Sequence, residues 1–293
     1  MIAQLESEGF AVARLCEVLG VHRSLYYSWR AGRSSRRALD DGALKPIVQK
    51  IFWEHRRRYG ARRISRELAE RGRTCGVQRV GRLLRELKLK AIQPKSYRPR
   101  TTESRHSLGY SPNLLLDSPP STRVNQLWVG DISYIPLRGG GYLYLALLMD
   151  RYSRRIVSWE LRDDMKEVLV VAVLRRAITQ RRPTADLIHH TDRGGQYAGQ
   201  AYRQMLARAG MRQSMSRAAN VYDNAFMESC FGTIKTELEM NCYENDWTAR
   251  TEIGAFIRYY NTRRLHSSLD YQTPEQFETA QDSRQKPASR KTS

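Results

Sequence analysis

A chain of 293 residues with 41% hydrophobic and 9% aromatic content can fill two or more folded cores and is too apolar to be wholly disordered. Its formal charge of +20 points to a polyanionic partner, nucleic acid first, with a merely soluble basic surface as the plainer alternative. Cys16, Cys75, Cys230 and Cys242 form no C-x-x-C pair, which speaks against a zinc site or a disulfide framework.

The segment Met1 to Glu6 has neither a basic start nor a long apolar region. The longest apolar run, Tyr142 to Met149, is eight residues, far short of the roughly 20 that span a bilayer. These features predict a cytoplasmic protein. The charge is uneven: residues 1–122 carry 25 Lys+Arg against 11 Asp+Glu, or +14, and residues 123–293 carry 25 against 19, or +6. The N-terminal part is therefore the stronger candidate for phosphate contact.

Residues 8–31 predict two helices about a tight turn: Ala11, Val12, Leu15, Cys16 and Leu19 fall at helical spacing and Gly20 breaks the run. Such a helix-turn-helix, in a domain spanning 1–35, would offer Arg23, Ser24, Tyr27 and Arg30 to DNA; a helical hairpin with a basic face is the alternative. A second helical domain, 40–92, shows three apolar stripes, through Leu44 to Phe52, Ile64 to Ala69 and Val77 to Leu87. Arg62, Arg63, Arg79 and Arg82 are expected outside them as DNA contacts. Periodicity then vanishes, and 93–122, rich in proline and basic residues, reads as an extended linker.

From residue 123 the texture becomes α/β. Strands are predicted at 128–136, 142–150, 155–160, 187–191 and 212–215, the first three a meander. Helices are predicted at 168–180, 200–209, 224–240 and 247–261, the core domain ending at 282. The polar tail 283–293 reads as disordered.

Three carboxylates stand out. Asp131 lies mid-strand between Val129 and Ile132, where an unpaired carboxylate would be costly to bury. Asp192 follows another strand at the Gly194-Gly195 turn, and Glu228 lies in the first turns of a helix. Hard oxygen ligands on a strand, a strand end and a helix suit a divalent cation; capped ends or salt bridges are the alternative. Lys235, seven residues past Glu228, projects from nearly the same side of the helix, where it could touch a phosphate or simply neutralise Glu239.

The spacing of Asp131, 60 intervening residues, Asp192, 35 intervening residues and Glu228 resembles the D,D(35)E signature of retroviral-integrase-like catalytic cores. The phrases Trp128 to Ile135, His190 to Tyr197, Tyr222 to Ser229, Tyr260 to His266 and Tyr271 to Pro274 resemble those of bacterial insertion-sequence transposases of the second-reading-frame (OrfB) type. The resemblance extends through the helical Tyr59 to Ile64 region and covers nearly the whole chain. One departure is Ala218-Ala219, where relatives usually carry a glycine.

The resemblance implies an RNase H-like mixed five-stranded sheet flanked by helices. It also implies two Mg²⁺ ions, with Mn²⁺ as substitute, held by Asp131, Asp192 and Glu228. DNA ends would be cleaved to free 3′-hydroxyls, which then attack a second phosphodiester. Arg193, Asn220, Asn224 and Arg264 join Lys235 as expected DNA contacts in the core; His190 and Asn224 would position phosphate or support the site, unless His190 is only a packed strand end. Double-stranded DNA, a homo-multimer holding two ends, and an upstream helical OrfA-type protein, as fusion or partner, are the implied partners. Two other readings stay open: a nuclease of the same fold that cuts without joining, and a DNA-binding repressor with a relic core.

Overall fold

The computed structural model describes residues 1–32, 35–93, 109–116, 119–217, 225–239 and 242–285. Two units divide at Ala91–Ile92. The first opens with three short helices, α1 (Ile2–Ser7), α2 (Val12–Val18) and α3 (Arg23–Arg30), one more than the sequence predicts. The extra helix has no side-chain N-cap, so no local signal marks it. Tyr26 is buried and its hydroxyl donates to Glu6, which also pairs with Arg30. Helix α4 (Arg36–Glu54) starts on Ser35, whose hydroxyl accepts from the Ala38 amide at 3.1 Å. Its Leu44, Val48, Ile51 and Phe52 are buried with Ile64 and Leu68 of α5 (Ala61–Glu70) and Val80, Leu83 and Leu84 of α6 (Val77–Glu86). The three predicted stripes thus meet as one core.

The second unit is built on a five-stranded sheet of order β3-β2-β1-β4-β5. Strands β1 (Leu127–Pro136), β2 (Tyr142–Asp150) and β3 (Ile156–Arg162) form the antiparallel meander. After α7 (Glu167–Arg181), β4 (Ile188–Thr191) returns parallel to β1. Helices α8 (Gly195–Ala198) and α9 (Gln200–Arg208) then lead to β5 (Arg212–Met215), parallel to β4. Helices α10 (Ala225–Glu237), α11 (Asp246–Thr262) and α12 (Pro274–Gln285) complete the unit. This is the RNase H-like arrangement.

Side chains alternate across β1, which sorts the two cores. Leu127, Val129 and Ile135 pack with Met227, Cys230, Phe231 and Ile234 of α10 and with Ile253, Phe256 and Tyr260 of α11. Trp128 packs on the other face with Leu169, Val173 and Leu174 of α7 and with Tyr202 and Leu206 of α9. Asp131 shares the odd-numbered face, so strand periodicity alone aims it at α10. Gly130 faces the other way, and a Cβ there would lie 3.0 Å from Cε1 of fully buried His189. We expect Gly130→Ala to cost roughly 1–3 kcal/mol by overpacking, read as a lowered denaturation midpoint; unchanged stability would mean that β4 yields freely.

Two segments differ from expectation. Residues 109–116, read as linker, dock on β5: the Met215 amide donates to Pro112 O at 3.3 Å and the Leu114 amide to Ser214 Oγ at 3.0 Å. Leu115 packs into the α10-side core. A covered edge strand cannot recruit a foreign strand, and that backbone pairing is invisible to periodicity. Helix α12 falls where no helix is predicted, in the last part of the core domain. Its start is a capping box: Thr273 Oγ1 accepts from the Gln276 amide at 3.1 Å, and Gln276 Oε1 from the Thr273 amide at 2.9 Å. Glu278, buried on α12, pairs with Arg181 of α7 at 2.6 Å and Arg155 at 3.0 Å. Most of the predicted tail lies outside the described residues.

Candidate active site

The β1–β4 register explains the first spacing. Trp128 pairs with His189 and Val129 with His190, and carrying that offset on by two residues sets Asp131 level with Asp192, just past the end of β4. The Ile132 amide donates to Asp131 Oδ1 at 2.8 Å, and the Gly194 amide to Asp192 Oδ1 at 3.0 Å. A Cβ on Gly194 would stand 3.0 Å from that carboxylate oxygen, so space rather than backbone conformation calls for glycine here. Glu228 approaches from α10, where it is exposed while its neighbours Met227 and Cys230 are buried.

Asp192 and Glu228 both act on Asp131. Burial pushes the Asp131 carboxyl well above the usual carboxylate range; the charge of Asp192 pushes it further and Glu228 adds to the rise. The Ile132 amide and the Lys235 ammonium oppose the rise. Lys235 is itself lowered by burial, with Asp131 counteracting, so it faces the same centre. The Tyr197 hydroxyl, at the end of the His190 to Tyr197 phrase, is raised by burial, then by Asp131 and, to a lesser degree, Asp192. Its apolar neighbours mark it as core, and only the fold reveals its proximity. Among the described residues no three carboxylate, imidazole or thiolate groups stand close enough to share one ion. The site thus sets Asp192 and Glu228 near enough to Asp131 for their charges to act on it without forming a closed cage, and hard oxygen donors of this kind suit a small divalent cation.

The histidines beside Asp192 are structural. His190 is buried with Nδ1 2.8 Å from Ser214 Oγ and Nε2 3.1 Å from Ser216 Oγ, tying β4 to β5. It is the packed strand end. His189 bonds Tyr202, and burial pushes its imidazole down to about 3, so it stays neutral.

Several expected DNA contacts are engaged inside the protein. Arg264 is only 6% exposed and its Nη2 lies 2.7 Å from Glu237 Oε1. The guanidinium is committed to a buried pair, and the reading of Arg264 as a phosphate contact is corrected. Arg79 bonds Asp41 and Asp40, and Arg82 bonds Asp41 and Glu86, so both spend their charge on acids of their own unit; Arg30 does the same with Glu6. Arg193 donates to Ser216 O at 2.8 Å and lies 4.8 Å over the Tyr110 ring, half-buried. Arg63 packs over Tyr59, whereas Arg23, Tyr27 and Arg62 are exposed. Asn220 and Asn224 lie outside the described residues.

Comparison with known proteins agrees with this architecture. Family models match an HTH-like domain at residues 38–97 and integrase core domains at 121–221 and 209–274. A 31 kDa protein of insertion element IS600 from Shigella sonnei is 40% identical, over 90% of this chain and 97% of its own length. The transposase of insertion sequence element IS904 from Lactococcus lactis is 38% identical, over 84% and 97%. The transposase InsF of insertion sequence IS3A from Escherichia coli is 35% identical, over 92% and 94%. Among solved structures, the HTLV-2 integrase catalytic core domain in complex with magnesium is similar at TM-score 0.43 and 16% identity, covering 53% of this chain and 96% of that one. With an HTH-like domain ahead of an integrase core, and curated relatives matched nearly end to end, the chain belongs to the IS3-type family of insertion-sequence transposases.

Proposed function

We propose that this transposase binds the terminal inverted repeats of its element, cleaves there to free 3′-hydroxyls and joins them to target DNA at one active site. What carries the reading is the electrostatic convergence of Asp131, Asp192 and Glu228, with Lys235 facing them. Asp131, Asp192 and Glu228 would together hold two Mg²⁺ ions (Mn²⁺ as substitute). When bound, such ions would supply activation of an attacking oxygen and stabilisation of a leaving one. The chain's own groups do the rest. Lys235 offers a cation to a phosphate beside the scissile bond, the Gly194 amide orients the Asp192 carboxylate, and His190 holds β4 and β5 together beneath it. No side chain need form a covalent bond with DNA.

Regions 1–35 and 40–92 would grip the repeat through residues such as Arg23, Tyr27 and Arg62, and 93–122 would connect them to the core. Synapsis of two ends calls for more than one copy, and an OrfA-type helical protein is the partner or fusion we expect. The deciding measurement is strand transfer with the element's own ends and Mg²⁺, wild type against Glu228→Gln. The wild type should link a 3′-hydroxyl end into a second duplex, and the variant should bind DNA while linking none. Cleavage without joining would favour a nuclease, and binding without either a repressor.

A further inference from the structure

The turn between β2 and β3 carries two arginines to which the catalytic reading gives no part. Arg151 and Arg154 place their guanidinium carbons 4.5 and 4.3 Å from the centroid of one ring, that of Phe226, in the first turn of α10. Phe226 and Glu228 are two residues apart, about 3 Å along the helix axis. Both arginines are half-buried, and no carboxylate is paired with either among the described residues. Asp150, the nearest acid in sequence, is taken: its Oδ1 accepts from the amides of Tyr152 at 2.9 Å and Ser153 at 3.0 Å, and its Oδ2 from that of Asn125 at 2.6 Å. The same bonds shape the turn, in which Arg154 adopts a left-handed backbone of φ 62°. That conformation disfavours a branched or bulky residue.

Several other arginines of this unit are matched with acids: Arg155 and Arg181 with Glu278, Arg176 and Arg250 with Glu160, Arg264 with Glu237. Arg151 and Arg154 instead share one aromatic ring. Burial lowers both below the ordinary arginine value, and the charge of Arg151 lowers Arg154 further. Stacking on a ring contributes about 0.5–2 kcal/mol per guanidinium, but it does not neutralise charge. It does hold the guanidinium plane still while leaving the in-plane N–H groups available, the geometry that meets two phosphate oxygens at once.

We infer that Arg151 and Arg154 form a phosphate clamp for the DNA backbone at the start of α10, the helix that carries Glu228, separate from the Lys235 contact. The inference rests on the transposase reading and assigns residues that bind the phosphate backbone of the substrate. Arginine rather than lysine is required for the stack, while the charge alone is required for the salt-dependent part of binding.

The test is binding of the full chain to a duplex oligonucleotide in Mg²⁺-free buffer across a salt series, followed by fluorescence anisotropy. Neutralising one phosphate contact lowers the slope of log affinity against log salt by about 1. Arg151→Ala with Arg154→Ala should lower the slope by about 1 to 2 and weaken binding roughly tenfold at low salt. Arg151→Lys with Arg154→Lys should keep the slope near wild type. If the double alanine variant fails to fold, Arg154→Gln alone gives the same reading, with a slope loss of about 1. An unchanged slope beside a fallen melting temperature overturns the clamp and leaves the arginines as anchors for Phe226. Wild-type protein that binds no duplex would overturn the transposase reading itself, and the clamp with it.

Discussion

Replacing Asp131 by Asn is expected to lower the proposed strand transfer by a factor of roughly 10³ or more, as for members of a catalytic unit, yet to stabilise the metal-free protein. The two effects share one cause. Burial and the charges of Asp192 and Glu228 hold the folded-state carboxyl above its ordinary value, about 3.9 in an unfolded chain. The ionised form is therefore disfavoured by folding, so the group penalises the native state once it ionises. Below about pH 4 the penalty is absent; it grows as pH rises toward the raised folded value and is constant above it. Asparagine removes the charge and the pH dependence together. Wild type and variant should melt alike near pH 4, and at pH 8 in chelator the variant should melt higher by a few degrees, on the scale of about 2–4 °C per kcal/mol. Mg²⁺ should then raise the wild-type midpoint and leave the variant unmoved, because an ion that binds only the native state stabilises it by mass action. A variant no more stable than wild type at pH 8 would show that the carboxylates do not repel as described.

How much of this was legible in the sequence depends on which force places a residue. The β1 strand and its odd-numbered face follow from alternation, and the 61-residue offset between Asp131 and Asp192 is the β1–β4 register itself, so motif and topology state one fact. Glu228 and Lys235 follow from helical spacing once α10 is recognised. Partners in space were not legible. A run such as Arg263-Arg264 carries no mark saying which guanidinium turns inward to Glu237, and Arg79 and Arg82 read as basic surface because Asp40 and Asp41 stand nearly 40 residues earlier. Residues 109–116 dock by backbone bonds to β5, which leave no periodic signature. Helix α12 was overlooked although Thr273, Pro274 and Gln276 spell a helix start; a polar helix shows no apolar stripe, and the cap was the one signal to read.

Arg264 offers the sharpest contrast between a surface contact and a structural one. Its Nε lies 3.0 Å from both Glu237 oxygens, its Nη2 2.7 Å from Oε1, its Nη1 3.3 Å from His266 Nδ1, and its guanidinium 5.5 Å from the Tyr260 centroid. Glu237 ends α10, two residues after Lys235, so the pair fixes the helix that presents both Glu228 and Lys235. Removing one partner strands a buried charge, which costs about 3–5 kcal/mol. Arg264→Ala should lower the unfolding free energy by that amount and the melting temperature by roughly 10 °C. High salt should change this little, because a buried pair is poorly screened. Arg264→Met combined with Glu237→Met should recover most of the loss, since replacing both charges with apolar groups of similar size removes the desolvation cost along with the attraction. Were Arg264 instead a phosphate contact, the alanine variant would keep its melting temperature and lose about 1 from the salt slope of DNA binding. Chemical denaturation and salt titration of the same variant therefore separate the two roles. A midpoint within measurement error of wild type would restore Arg264 to the DNA surface and leave the end of α10 without the anchor on which the placement of Glu228 depends.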